Sequence, residues 1–351
     1  MIEKIWPVNK LVKLRQEVTE LRQETMLLRR ESELLNHQFQ QGKQGIEIKF
    51  DEKCRSLSEE MQNTKEDILK VLSDSKHETH EDLWMTKFGY DNMISSLQLA
   101  VIEQVVPGNY ERLSALKNTH AGERCFVIGN GPSLNTADLE ILRQNGEFCF
   151  ASKRINLIFD QTEWRPNIWG ASDLDYIEMY QDEIREIKGF PKLICAQSIV
   201  RNNIVIEDAV YYPFIQVERQ PQWFNEDILR GVHFYGTITC KLINFAVYMG
   251  FKEIYLLGVD NTVPIKINED GKREYDPKAQ NHFSGNYFTE KDMVEMNKSV
   301  IDIDESVAYV TSAYASVKWF CDQLGVGIFN ATRGGTLEVY PRVNFDSIRK
   351  R

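Results

Sequence analysis

Apolar positions recur every seven residues at the start of the chain. Leu14, Leu21, Leu28 and Leu35 occupy one heptad position, and Leu11, Val18, Thr25 and Ser32 occupy its partner. With the leucines at d, arginines at e (Arg15, Arg22, Arg29) follow glutamates at g (Glu17, Glu24, Glu31). In a parallel pair each g glutamate faces the next e arginine of the other helix. The pattern predicts a parallel coiled coil over residues 1–42 that joins copies of the chain. The alternative is a single amphipathic helix packed on its own domain. Residues 43–108 read as a charged helical stalk, with more apolar positions from Glu81 to Val105 (Leu83, Trp84, Phe88, Ile94, Leu97, Val101, Ile102) that pack on the next domain. Pro107-Gly108 breaks the pattern and sets a boundary near residue 109.

From there the period changes. Short apolar runs at Cys125–Ile128, Phe148–Ala151, Ile168–Ala171, Lys192–Ala196, Val210–Tyr212, Ile254–Gly258 and Gly327–Phe329 read as strands. Helical patterns at Ala137–Gln144, Tyr176–Ile187, Thr239–Met249 and Ser306–Leu324 fall between several of them. Strands that are apolar on both faces and alternate with helices predict an α/β fold with a mostly parallel sheet covered on both sides. The expected fold class is therefore Rossmann-like over 109–351, preceded by the coiled coil.

Composition narrows the function. The net charge is −10, from 52 acidic and 42 basic residues, which argues against nucleic acid as a partner. The six cysteines form no CxxC pair, so a zinc site is not expected and a reduced compartment is. Met1–Lys10 lacks an apolar segment, which predicts no signal peptide. No run approaches the roughly 18 apolar residues of a membrane span. The expected location is the cytoplasm, including the inner face of the membrane.

Ligands of open parallel sheets bind beyond the carboxyl ends of the strands, so the residues just after each strand carry the argument. Gly129-Asn130-Gly131-Pro132-Ser133 ends the first strand and opens a helix, a turn that suits a phosphate or nucleotide. It lacks the Lys-Ser/Thr of a Walker loop and the third glycine of the dinucleotide fingerprint. Ser133 contacts a ligand or caps the helix. Asp173 and Asp175 follow the third strand and either hold a divalent cation or cap a helix. Thr237 and Thr239 in Gly-Thr-Ile-Thr form a second anion cradle or a simple cap, and Asp260 ends the next strand at the same edge. His282 lies in a polar segment, where an imidazole takes a proton at neutral pH or merely decorates the surface. Tyr275 and Tyr287 flank it as donors to a leaving phosphate or as packing groups. Asn330, Thr332 and Arg333 in Asn-Ala-Thr-Arg-Gly-Gly follow the last strand and suit a base or phosphate; the alternative for Arg333 is a salt bridge.

The order Gly-Asn-Gly-Pro-Ser-Leu, Arg165-Pro166 with Asp173, Gly-Thr-x-Thr, Ile-Tyr-Leu-x-Gly-Val-Asp, His-Phe-x₃-Tyr and Asn-Ala-Thr-Arg-Gly-Gly resembles the MptE-like domain family over about 115–345. It is also similar to the bacterial CMP-sialic acid sialyltransferases and to the motility accessory factors. The resemblance implies a glycosyltransferase of surface polysaccharide or glycoprotein assembly. Its donor would be a nucleotide-activated sugar, CMP-linked in preference, with a nonulosonic acid as a candidate sugar. Gly129 to Ser133 would contact CMP, Gly236 to Thr239 the phosphate or sugar carboxylate, and His282 would be the acceptor base. No cofactor would be required, and other glycan-assembly enzymes are expected partners. Lys153 stands where these relatives usually carry Asn, and Asn261-Thr262 replaces the tyrosine expected after the Gly-Val-Asp strand end. Two alternatives accompany this reading. One is a Mg²⁺-dependent pterin-type pyrophosphokinase using Asp173 and ATP; the other is a scaffold that binds a nucleotide or glycan without turnover.

Overall fold

The computed structural model of the chain describes residues 80–215, 224–233, 235–262, 265–267, 273–275, 282–284, 287 and 303–348; for 80–90, 265–267, 273–275 and 303–306 it describes the backbone alone. The expected coiled coil lies outside the described residues.

Helix α1 (His80–Val105) and the short α2 (Asn109–Ser114) lead into a seven-stranded sheet. Its strands are β1 (Arg124–Ile128), β2 (Phe148–Ser152), β3 (Ile168–Ala171), β4 (Lys192–Cys195), β5 (Ala209–Tyr212), β8 (Glu253–Leu257) and β11 (Gly327–Asn330). The order is β11-β8-β1-β2-β3-β4-β5 and every pairing is parallel. The chain builds outward from β1 to β5, then returns to the other side of β1. Strand order therefore reverses between β1 and β8, and a crevice opens beyond their carboxyl ends. Two small pairs stand apart from this sheet: β6 (Phe214–Ile215) with β7 (Val232–His233), and the antiparallel β9 (Ile265–Ile267) with β10 (Arg273–Tyr275).

The connecting helices are α3 (Thr136–Gln144), α4 (Leu174–Met179), α5 (Gln181–Glu186), α6 (Gln197–Asn202), α7 (Ile238–Tyr248) and α8 (Ile303–Gln323). The apolar strand runs follow from burial on both faces: β3, β4 and β5 are buried at every position. The single helix expected over Tyr176–Ile187 is two. Tyr180 leaves helical geometry (φ −114°, ψ 19°). Its ring packs on Tyr176 and receives the Arg154 guanidinium on its face, 4.7 Å from the centroid.

Two amide side chains close the β5–β6 side. Asn109 donates to the Tyr211 carbonyl (2.8 Å) and accepts from its N–H (2.7 Å). Gln98 of α1 does the same for Phe214 (2.8 and 2.6 Å). These bonds occupy backbone groups that an edge strand would otherwise present for pairing. At the rim where strands begin, ion pairs join neighbours. Arg124 at the start of β1 pairs with Glu147 before β2, and Lys192 at the start of β4 pairs with Asp208 before β5 at 2.8 Å. Among the described residues no helix is long and apolar enough to cross a membrane.

Candidate functional site

A cleft of about 790 Å³ opens at the carboxyl ends of the strands. Gly129, Asn130, Gly131, Lys153, Asp173, Thr237, Thr239, Asp260, His282 and Tyr287 all line it, which brings strand ends far apart in sequence to one place. Ser133, Asn330, Thr332 and Arg333 do not line it. Tyr275 is described by its backbone alone, as the last residue of β10.

The floor of the cleft is the β1/β8 crossing, where two loops press together. A Cβ on Gly129 would lie 2.3 Å from the Gly258 carbonyl oxygen, and one on Gly131 would lie 1.9 Å from the Asp260 carboxylate. These glycines are required by the opposing loop, independently of any ligand. Asp260 is buried and accepts from the Ser133 hydroxyl (2.8 Å) and N–H (3.3 Å). Ser133 thus tethers the β1 loop to β8. Thr332 accepts from the Val259 N–H (3.1 Å), and buried Asn330 donates to the Leu337 carbonyl (2.8 Å). Both side chains shape the loops behind the cleft. Arg333 makes a bidentate pair with Asp138 (2.6 and 2.7 Å) and a second pair with Asp346. These hydrogen bonds raise its pKa further, and they give it the salt-bridge role.

Asn130 is the hub. Its side-chain nitrogen donates to the Ser152 carbonyl and the Tyr287 hydroxyl, both at 3.1 Å. Its own carbonyl accepts from His282 Nδ1 (3.0 Å) and the Phe283 N–H (3.1 Å). Its Oδ1 is buried with no donor among the described residues. A buried acceptor without a donor is costly, and a ligand hydroxyl or amino group would satisfy it.

His282 stacks on Tyr287 with ring centroids 3.7 Å apart and an interplanar angle of 21°. A carbonyl only accepts, so the Asn130 bond puts the proton on Nδ1 and the lone pair on Nε2. Burial pushes the imidazole down to about 4; the bond to Asn130 opposes this, and the Lys153 charge adds to it. The ring is neutral at pH 7. The unfolded chain binds this proton near pH 6.5 and the folded chain only near 4, so its stabilising effect is complete above 6.5 and is lost as pH falls toward 4. Relative to His282→Gln, the wild type is expected to lose up to roughly 3 kcal/mol across that window. Urea unfolding of both proteins at pH 7, 6, 5 and 4 measures it; parallel curves would refute it.

Lys153 follows β2 in left-handed backbone geometry (φ 49°), a conformation that costs a non-glycine residue about 1 kcal/mol. The Trp169 indole N–H holds it by donating to its carbonyl at 2.8 Å. Its ammonium reaches Asp173 at 2.8 Å. Asp173 also caps α4, accepting from the Tyr176 N–H at 3.2 Å. Burial against the cleft wall pushes this carboxyl up, and Lys153 with the Tyr176 N–H outweighs it, leaving the pKa below the usual value. Both oxygens of Asp173 are thus held by protein donors. Among the described residues no three His, Cys, Asp or Glu side chains converge as a metal site would require.

Thr237 is the N-cap of α7, accepting from the Thr239 N–H at 3.3 Å. One turn further along, Lys241 lines the cleft although only 2% of it is exposed. Sequence reasoning passed over it, because one lysine in the apolar run Ile238–Tyr248 reads as a snorkelling side chain. The signal was its place in the first turn after Gly-Thr-Ile-Thr. Gln197 and Arg201 of α6 also line the cleft, on a helix too short to show a period.

The chain matches no protein-family model and no curated protein. Among solved structures it is similar to the MAf glycosyltransferase from Magnetospirillum magneticum AMB-1, at 15% identity and a TM-score of 0.41. The likeness covers 69% of this chain and 39% of that one, so this chain spans well under half of that protein's length.

Proposed function

We propose that this chain is a glycosyltransferase that takes a sugar from a nucleotide donor, CMP-linked in preference, and passes it to a glycan or glycoprotein acceptor. The observation that carries this reading is the neutral imidazole of His282, fixed on the Asn130 carbonyl at the strand-order reversal and facing the same cleft as Lys153, Lys241 and the α7 cap. An unsatisfied Asn130 Oδ1 in the floor supports a polar, hydrogen-bonding ligand such as a nucleoside.

In the proposed reaction the acceptor hydroxyl oxygen attacks the anomeric carbon. The bond from that carbon to the phosphate oxygen breaks, and the nucleotide leaves with the electron pair. His282 Nε2 takes the acceptor proton, while Thr237, Thr239 and the lysines stabilise the departing phosphate. The engaged state of Asp173 supports a metal-free course over a Mg²⁺-dependent pyrophosphokinase.

A thermal-shift panel of CMP, UDP, GDP, ADP and ATP, with and without Mg²⁺, tests this. A ligand at 100 times its Kd adds about 2.7 kcal/mol, a rise of a few degrees. CMP is expected to give that rise without Mg²⁺. A shift with ATP and Mg²⁺ alone would move the reading to the pyrophosphokinase; no shift with any nucleotide would overturn both.

A further inference from the structure

The geometry points to an acceptor subsite on the α6 wall of the cleft, where Gln197 and Arg201 hold an acidic sugar unit. The Arg201 guanidinium takes its carboxylate or phosphate, and the Gln197 amide takes a neighbouring hydroxyl. This rests on the reading that the cleft transfers a sugar, and it names the class of acceptor and the residues that recognise it.

Three observations carry it. First, Gln197 is only 7% exposed, yet it lines the cleft. Its side-chain amide makes no hydrogen bond among the described residues, and it is not sealed from solvent. The small exposed part of the residue therefore includes the amide. Its neighbours Ser198 and Ile199 are buried, and methionine or leucine would fill the same volume without a polar group. An amide both donates and accepts, as a sugar hydroxyl requires.

Second, Arg201 follows Gln197 by four residues, one helical turn, and lines the same cleft. It is exposed, with neither an ion pair nor a hydrogen bond among the described residues. Asp175, in the first turn of α4, also lines the cleft and does not pair with Arg201. The wall thus offers a forked donor, an amide and a carboxylate acceptor. Leu174 and Phe214 on the same side give apolar surface for ring carbons. The wall is held in place beforehand. The Ser198 hydroxyl donates to the Cys195 carbonyl (2.9 Å), and Asn202 donates to Glu178 of α4 (2.7 Å).

Third, the position separates this wall from the imidazole. Helix α6 follows β4, and β1 lies three strands away. At about 4.8 Å per strand, the wall stands about 14 Å from the strand end that carries Asn130 and His282. That is longer than one sugar ring. A unit held on α6 is therefore a neighbour of the one whose hydroxyl meets His282, and the acceptor is an acidic oligosaccharide.

Calorimetry with lactose, sialyllactose, a hyaluronan disaccharide, lactose phosphate and CMP compares wild type with Arg201→Met, Arg201→Lys and Gln197→Leu. Arg201→Met is expected to weaken the acidic saccharides by about 10- to 100-fold, the loss of a charge-assisted contact. Lactose and CMP should stay within about twofold. Arg201→Lys should recover part of the loss, because it keeps the charge without the planar fork. Gln197→Leu should weaken the same saccharides by about 2- to 10-fold, the range for a neutral hydrogen bond. If Gln197→Leu fails to fold, the exposed Arg201 decides alone. An effect on sialyllactose or the hyaluronan disaccharide marks the carboxylate; an effect on lactose phosphate alone marks the phosphate. A loss of CMP affinity as large as that of the saccharides gives Arg201 to the donor and overturns the acceptor subsite. CMP binding without saccharide binding, or saccharide affinities equal in wild type and Arg201→Met, overturns the subsite and leaves the nucleotide reading intact. Arg201-dependent saccharide binding without nucleotide binding keeps the wall as a glycan site and overturns the transferase in favour of a scaffold. Binding of neither class overturns both.

Discussion

Replacing His282 by glutamine is expected to lower the rate of sugar transfer roughly 10²–10⁴-fold, the range for loss of a positioned general base. CMP affinity should change little. The separation follows from the geometry. Nδ1 is spent on the Asn130 carbonyl at 3.0 Å, so Nε2 carries the lone pair. The glutamine amide can still donate to that carbonyl, but it has no basic nitrogen. Tyr287 contributes a flat face at 3.7 Å that keeps the ring in plane, and its hydroxyl accepts from Asn130 at 3.1 Å. Because burial holds the imidazole near 4 in the free protein, kcat/KM should be flat through neutral pH and decline only in acid. A transfer rate for His282→Gln within threefold of wild type would remove the imidazole from the chemistry and favour a scaffold that binds without turnover.

Gly334→Ala and Gly335→Ala lie one residue apart and should differ in stability by about 3 kcal/mol. At Gly334 a new methyl would sit 3.6 Å from the Asp260 carboxylate and 3.8 Å from Ser133, ordinary contacts. At Gly335 it would sit 2.2 Å from the Asp260 carbonyl oxygen and 2.4 Å from its Cα, with φ at +77°. Those are backbone atoms and cannot turn aside. The Asp260 carbonyl already accepts from the Thr336 N–H at 2.7 Å, and its carboxylate holds Ser133. Moving Asp260 would therefore displace one wall of the cleft. Urea midpoints at unchanged m-value measure the difference; equal midpoints would show that the loop yields freely.

The seven strands were legible because burial on both faces writes itself as a continuous apolar run, and Phe148–Ala151 or Ile168–Ala171 needs no partner to be recognised. Their layout makes strand ends converge, which brings Gly129, Asp173 and Asp260 to one cleft. What was hidden depends on contacts between distant segments. At the Tyr180 break the ring meets Arg154, which is distant in sequence, and the short pair β9–β10 is too brief for any period. Gly129 and Gly131 read as a ligand cradle, whereas the atoms that forbid a side chain there belong to Gly258 and Asp260. Arg333 meets Asp138 across 195 positions of sequence, and no local pattern encodes that. Lys241 was masked by the apolar helix that carries it.

All seven strands run the same way, which divides labour between the two ends of the sheet. The end where they start is stapled by Arg124–Glu147 and Lys192–Asp208; the end where they finish holds the imidazole and the lysines. Loops at the finishing end that stand clear of the Gly129–Gly258 and Asp260–Gly335 contacts can accordingly vary while the stapled end keeps the sheet in register. What the cleft accepts is thus open to redesign in those loops alone.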